Sequence, residues 1–159
     1  MRLVHFSKTG ALELDRSRPY TTFREDKPDG LWVSNEDDYG WSRWATDNEY
    51  GLDTLEYAYQ VGLADEADIL VIKDLAEFDY FNNAYSKPGL LAEATGNSRY
   101  MSPDWALVQE HYKGIIFERY FWERRFDPFW YYGWDCASGV IWDLSAVFAF
   151  ERVGASCDT

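Results

Sequence analysis

The chain has few residues of the kinds that build metal centres and disulfide frameworks. Among its 159 residues, only two are cysteines and two are histidines. A zinc site made of several histidines is therefore excluded, and Cys136 and Cys157 lack the spacing of metal ligands. Cys157 lies in a polar tail, where a disulfide would stabilise little. We therefore expect both thiols to be reduced in a cytoplasmic protein.

Long apolar runs are also missing. No stretch of eighteen consecutive apolar residues occurs, which argues against a membrane span. The first residues contain no extended apolar segment, so we expect no secretory signal. The glycine-rich motifs of nucleotide-binding folds, the serine-hydrolase elbow and the zinc-protease motif are absent as well. The chain thus lacks the signature of each of these enzyme classes.

Basic residues are outnumbered by acidic ones. Fifteen lysines and arginines stand against 28 aspartates and glutamates, which gives a formal net charge of −13. An acidic surface repels phosphates, so direct binding of nucleic acid is disfavoured. Two interpretations of the charge stay open. It keeps the protein soluble, or it lets an acidic face mimic nucleic acid and occupy a basic groove on a partner.

Aromatic residues, by contrast, are abundant. The chain has eight tryptophans, twelve tyrosines and ten phenylalanines, and each such side chain can bury about 150–250 Å². The length predicts a single globular domain over residues 1–150, followed by a C-terminal tail over 151–159. The core of one such domain cannot absorb every ring, so some rings are expected to line a groove or a partner surface.

The hydrophobic pattern predicts a mixture of strands and helices. Strands are expected at residues 3–7, 31–34, 68–72 and 114–117, with one or two more within 140–150. Helices are expected at 41–50, 74–85 and 102–111, with Ser42, Asp74 and Ser102 as caps and Pro103 at the first helical position. Because the elements do not alternate in regular βαβ units, the pattern predicts an α+β fold with mainly antiparallel strands.

Three polar side chains in apolar or aromatic surroundings are candidate site residues. His5, in the first strand, is either a core histidine bonded to a backbone carbonyl or a hydrogen-bond donor to a ligand hydroxyl. Ser34 either simply ends its strand or, with Trp32, forms the wall of a pocket. Asp135, which follows Trp134, is either a turn aspartate that bonds the backbone or a partly desolvated carboxylate.

Several stretches together resemble one family. Residues 3–7 (LVHFS), 30–34 (GLWVS) and 41–44 (WSRW) resemble the opening of small phage and bacterial ADP-ribosyltransferase-like proteins. In that family a strand with a histidine precedes a strand of the type Gly-aromatic-x-Ser/Thr and a helix with a tryptophan. Residues 112–116 (YKGII) resemble the family's Tyr-Asp-Gly-Ile strand entry, with lysine in place of the aspartate. The family's Ser-Thr-Ser and Gln-x-Glu motifs are absent, so no motif assigns the catalytic carboxylate.

The resemblance implies a split, mainly antiparallel β-sandwich with flanking helices, which holds NAD⁺ in a central cleft. His5 would bond the nicotinamide-side ribose or amide, and Ser34 would help to place the ribose. Either Trp32 or Tyr20 would stack on the nicotinamide. The residues that the resemblance assigns to NAD⁺ binding are His5, Ser7, Tyr20, Trp32 and Ser34.

The resemblance also implies a catalytic carboxylate, which would stabilise the oxocarbenium-like ribosyl cation as nicotinamide leaves. Asp135 is the candidate, acting together with His5, and Glu118 is the alternative. The implied function is an NAD-dependent ADP-ribosyltransferase-like protein of phage or mobile-element origin that modifies a host macromolecule in the cytoplasm, with a host protein as the expected target. The alternative is a non-catalytic acidic inhibitor, a mimic of nucleic acid, that binds a host or defence protein.

Overall fold

A computed structural model describes residues 1–20 and 26–154 of the chain. The strands are β1 (Leu3–Ser7), β2 (Leu31–Asn35), β3 (Tyr57–Leu63), β4 (Ile69–Ile72), β5 (Ser86–Lys87), β6 (Ser102–Pro103), β7 (Gly114–Phe117), β8 (Ser138–Ile141) and β9 (Val147–Arg152). The α-helices are α1 (Trp41–Asn48), α2 (Leu75–Tyr85), α3 (Leu90–Thr95) and α4 (Trp105–His111). Short 3₁₀-helices span Leu52–Leu55, Ser98–Tyr100, Trp122–Arg124, Phe129–Gly133 and Leu144–Ala146.

Seven strands form one sheet in the order β4-β7-β8-β2-β1-β3-β9, while β5 and β6 form a separate two-stranded ribbon. Neighbouring strands of the seven-stranded sheet are antiparallel except β4 and β7, which are parallel. The predicted α+β class and the mainly antiparallel strand arrangement are confirmed. No helix within the described residues is long and apolar enough to cross a membrane.

The sheet is nearly divided in two between β1 and β2. These strands, both fully described, pair only at Leu3 with Asn35 and at Val4 with Ser34. On its other edge β1 pairs with β3 at four positions, and β2 pairs with β8 at four positions. Beyond Val4, therefore, β1 follows the β3–β9 half of the sheet and β2 follows the β8–β7–β4 half. A gap opens between the two halves.

Each face of the sheet carries its own hydrophobic cluster. Ile115 and Phe117 of β7 belong to one cluster, whereas Ile116 belongs to the other. This follows from the alternation of side chains along a strand. The first cluster also contains the buried sides of α2 and α4 and most of the buried aromatic rings. Strands β7 and β8 approach closely at Gly139, where a Cβ would lie 2.5 Å from the carbonyl oxygen of Ile115.

The aromatic residues divide between core and surface, as the composition predicts. The ring of Phe78 is fully buried and stacks on that of Trp130, with the ring centroids 5.7 Å apart. Other rings in the segment from 122 to 132 are exposed, namely Trp122, Phe126, Phe129 and Tyr132. The surface therefore carries a concentration of aromatic rings close to the core cluster.

One predicted helix cap, Asp74, is confirmed, and two, Ser42 and Ser102, are wrong, although the first helix begins at Trp41 as expected. The Asp74 carboxylate caps α2 and accepts a hydrogen bond from the backbone N–H of Glu77 at 2.8 Å. Ser102 and Pro103 do not begin a helix, because they pair with β5, and Asp104 caps α4 instead. Ser42 lies inside α1, and its hydroxyl is hydrogen-bonded to a side chain rather than to the helix backbone.

The end of the chain also differs from the expectation. Glu151 and Arg152, which the sequence assigns to the tail, continue β9 and pair with β3. This pairing provides hydrogen-bond partners for the backbone N–H and C=O groups of both residues. Their polar side chains give no indication of it. Residues 155–159, and Cys157 with them, lie outside the described residues.

Candidate functional site

A cavity of about 260 Å³ opens where β1 and β2 separate, and we call it the split cavity. Four of the residues singled out by sequence line it: His5, Trp32, Ser34 and Asp135. They come from β1, from β2 and from the segment that follows the 3₁₀-helix Phe129–Gly133. The division of the sheet thus brings together side chains that are far apart in the chain.

His5 bridges the division in the sheet. Its Nδ1 lies 2.7 Å from the backbone carbonyl oxygen of Trp32. Because a carbonyl oxygen only accepts, Nδ1 carries the proton, and in the neutral ring Nε2 is left as an acceptor. Burial lowers the pKa of His5 below its usual 6.5, and the bond to Trp32 opposes this effect in part. The imidazole is therefore a neutral hydrogen-bonding group at neutral pH.

The lowered pKa of His5 predicts that acidification destabilises the protein. Between the folded-state pKa and the unfolded value of 6.5, the unfolded chain binds more protons than the folded one. The contribution of His5 to stability is therefore complete above about pH 6.5 and is lost as the pH falls toward the folded-state pKa. The test is the free energy of unfolding in urea, measured from about pH 8 to pH 5 for the wild type and His5→Gln. The variant should show the smaller decrease, and equal decreases would contradict this prediction.

The hydroxyl of Ser34 is held from two sides. It donates to the Glu36 carboxylate at 2.6 Å and accepts from the backbone N–H of Trp41 at 2.7 Å. The hydroxyl of Ser42 donates to the same carboxylate. Ser34 therefore has no proton left for a ligand and can offer only a lone pair. The link between Glu36 and Ser34 was not predicted, although the i+2 spacing puts both side chains on one face of an extended segment.

Asp135 is a half-buried carboxylate in the wall of the cavity. Burial raises its pKa, and the charges of Lys27 and Arg125 oppose the rise. Within the described part of the chain, this carboxylate takes part in no hydrogen bond or ion pair. The Ser138 hydroxyl donates instead to the carbonyl oxygen of Cys136 at 3.1 Å. A desolvated carboxylate with free lone pairs in a cavity is typical of a functional site.

The neighbouring Cys136 is a free, buried thiol that also lines the cavity. Burial raises its pKa to about 12. The thiolate is the nucleophilic form of cysteine, and at neutral pH it is a negligible fraction of this side chain. Cys136 therefore serves as a small apolar wall residue rather than as a nucleophile.

The indole of Trp32 is anchored to the core through Trp134. The centroids of these two rings are 5.0 Å apart. Trp134 in turn lies 4.9 Å from the ring of Phe117, and its indole N–H donates to the carbonyl oxygen of Asp26 at 3.0 Å. Trp32 is thus a partly exposed ring on a rigid support, which suits a stacking surface.

Other predicted residues lie elsewhere. Tyr20 lines a second cavity of about 560 Å³, which shares only His5 and Trp32 with the split cavity among the described lining residues. Ser7 accepts a hydrogen bond from the backbone N–H of Thr9. Neither Ser7 nor Glu118, both described, belongs to the wall of the split cavity. The structure therefore groups Asp135, and not Glu118, with His5.

Lys27 is a cavity residue that no motif in the sequence singles out. It is half-buried, and its ammonium lies 5.8 Å from the centre of the Trp32 ring. Its position in the turn that leads directly into β2 is the signal that could have identified it. A cation, a carboxylate and an indole ring thus face one cavity.

The described residues contain no group of three histidine, cysteine, aspartate or glutamate side chains that could hold a metal ion. Comparison with known proteins finds no matching family model, curated protein or solved structure. The split cavity and the chemistry of its wall are therefore the features that bear on function.

Proposed function

We propose that this protein is an ADP-ribosyltransferase-like enzyme of phage or mobile-element origin, which binds NAD⁺ in the split cavity and modifies a host protein. One observation carries the proposal. His5, Trp32, Ser34 and Asp135 line a single cavity at the division of the sheet. A split antiparallel sheet with a central cleft is also what the resemblance of residues 3–7 and 30–34 to that family implies.

The nicotinamide ring of NAD⁺ is cationic, and two wall residues suit it. The face of a tryptophan attracts cations, and a nearby carboxylate attracts them by charge. Trp32 is the better stacking candidate than Tyr20, because Tyr20 lines the other cavity. Nε2 of His5 is free to accept a hydrogen bond from the nicotinamide-side ribose or carboxamide. This reverses the donor role that the sequence suggested, because Nδ1 already uses its proton on the backbone.

In the proposed reaction the bond between the ribose C1′ and the nicotinamide nitrogen breaks, and nicotinamide leaves with the bonding electron pair. The ribosyl group gains the character of an oxocarbenium ion, which the Asp135 carboxylate stabilises by its charge. A nucleophilic group of the target protein then forms a bond to C1′ and releases its proton to solvent. The charge on Asp135 is the contribution of the enzyme to this step.

The first test is direct binding of NAD⁺, measured by calorimetry, together with nicotinamide release in a cell lysate. We expect Trp32→Ala to weaken NAD⁺ binding about thirtyfold, because a cation–π contact at a desolvated site contributes about 2 kcal/mol. Trp122→Ala, which removes a half-exposed tryptophan outside the cavity wall, is the matched control and should change binding less than about twofold. Absence of NAD⁺ binding by the wild type would refute the proposal.

The second candidate function is that of a non-catalytic inhibitor. One feature of the surface supports it. The exposed rings of Trp122, Phe126 and Tyr132 lie in one segment of a chain with net charge −13. Exposed aromatic rings are typical anchors of protein interfaces. This function predicts capture of a basic host protein at low salt, with binding that weakens steeply as the salt concentration rises. If capture of the partner did not depend on the salt concentration, binding through the acidic face would be contradicted.

A further inference from the structure

Lys27 has an unusual position for a lysine on an acidic protein. Its side chain is half-buried and lines the split cavity, with the ammonium over the Trp32 ring. The ion pairs among the described residues do not include Lys27. In a chain with nearly twice as many acidic as basic residues, a lysine that lines a cavity and makes no direct ion pair with a described carboxylate calls for a functional explanation.

The surroundings of Lys27 hold it in place. The backbone carbonyl of the preceding residue, Asp26, accepts a hydrogen bond from the indole N–H of Trp134 at 3.0 Å. The following residue, Pro28, is buried. The aliphatic part of the side chain passes over Gly133, where a Cβ would lie 3.3 Å from the Cε of Lys27. The absence of a side chain at Gly133 therefore gives the lysine its path into the cavity. The two residues that precede Asp135, Gly133 and Trp134, thus also position Lys27.

The charges of the cavity wall suggest the chemistry of the ligand. Asp135 and Lys27 line the same cavity without forming an ion pair with each other. Lys27 acts on Asp135 through its charge, but no direct contact between the two groups occupies the ammonium or the carboxylate. A wall that presents one anionic and one cationic group is complementary to a ligand that carries both signs of charge. A positively charged nicotinamide joined through ribose to a phosphate is such a ligand.

We propose that Lys27 is the phosphate-binding residue of the split cavity and that its ammonium selects ligands in which the nicotinamide-side ribose carries a 5′-phosphate. This inference rests on the proposed function, because it places the nicotinamide against Trp32 and Asp135. The ammonium donates charge-assisted hydrogen bonds to the phosphate oxygens. Ser34 takes no part in holding the phosphate, because its proton is already donated to Glu36.

The test compares nicotinamide mononucleotide with nicotinamide riboside, which differ only in the 5′-phosphate. Calorimetry should show that Lys27→Gln weakens binding of the mononucleotide about tenfold or more, the size expected for the loss of one charge-assisted hydrogen bond. Binding of the riboside should change less than about twofold. Lys27→Arg should retain most of the preference for the mononucleotide. Lys73→Gln is the control, since it removes the same charge from an exposed position outside the cavity wall.

Two results would overturn the assignment of Lys27. One is an equal loss of affinity for both ligands in Lys27→Gln, because the lysine would then merely support the Trp32 ring. The other is unchanged affinity for both ligands. If the wild type binds neither of these ligands and does not bind NAD⁺, the proposed function fails, and the anion site is then tested with inorganic pyrophosphate. Pyrophosphate binding that Lys27→Gln abolishes would uphold the anion site without NAD⁺, and absence of pyrophosphate binding would reject it.

Discussion

Replacement of Asp135 by asparagine should lower the rate of nicotinamide release about 100- to 1000-fold, the loss typical when one preorganised electrostatic contact to a transition state is removed. Asparagine has the same shape but no charge, so it cannot stabilise the ribosyl cation. Because the described residues make no hydrogen bond to this carboxylate, the local structure should persist. Affinity for NAD⁺ should therefore decrease far less than the rate. Single-turnover measurement of nicotinamide release, with calorimetric binding beside it, separates the two effects.

The control for Asp135→Asn is Glu118→Gln, which neutralises the alternative carboxylate. Glu118 lies outside the wall of the split cavity, so this variant should react within about twofold of the wild type. A large loss of rate in Glu118→Gln, with none in Asp135→Asn, would transfer the catalytic assignment to Glu118. The pH dependence adds a second measurement. Because burial raises the pKa of Asp135, acidification should protonate it, and reduce the rate, at a higher pH than for an ordinary aspartate.

Replacement of Trp134 by alanine should lower the free energy of unfolding by about 3–5 kcal/mol, the usual cost of removing a large buried ring. Trp134 is 2% exposed. Its ring contacts those of Trp32, Trp105 and Phe117, at centroid distances of 5.0, 6.0 and 4.9 Å. The substitution also leaves the Asp26 carbonyl without its indole donor. Urea unfolding followed by circular dichroism measures the change.

Two further variants make the Trp134 prediction specific. Trp134→Phe keeps most of the ring volume and loses the indole N–H, so it should destabilise the protein less than alanine does. Tyr80→Ala removes a ring that is 75% exposed and should change the free energy of unfolding by only about 0.5 kcal/mol. A Trp134→Ala variant as stable as Tyr80→Ala would show that Trp134 is not part of a tightly packed core.

The locally encoded parts of the fold are the ones that could be predicted from the sequence. Strand β1 and the apolar strand β4 follow from short runs of β-prone residues. The start of α2 follows from a single capping aspartate, Asp74. The predicted helix start at Ser102 is wrong because Ser102 and Pro103 pair with residues 86 and 87. Serine followed by proline does favour a helix start, but the pairing of these residues with a strand distant in the sequence prevails here.

The candidate site was only partly predictable for the same reason. The residue types at positions 5, 32, 34 and 135 are unusual for their surroundings, and the structure places all four in one cavity. The roles of Glu36 beside Ser34 and of Lys27 in the cavity wall were missed, because both depend on what these side chains approach in space. Tyr20 and Trp32 look interchangeable as stacking residues in the sequence, yet Trp32 lines the split cavity and Tyr20 does not.

By itself, then, the sequence determined the α+β class, the acidic and aromatic-rich character of the chain and the individual residues that merit attention, because propensity, capping and composition are local properties. The tertiary structure alone decided that β1 and β2 separate after Val4 and that the split cavity forms there. It also decided that the proton of His5 Nδ1 is directed to the Trp32 carbonyl and that of Ser34 to Glu36. These features depend on strand register and on contacts between distant segments, which no local pattern of residues specifies.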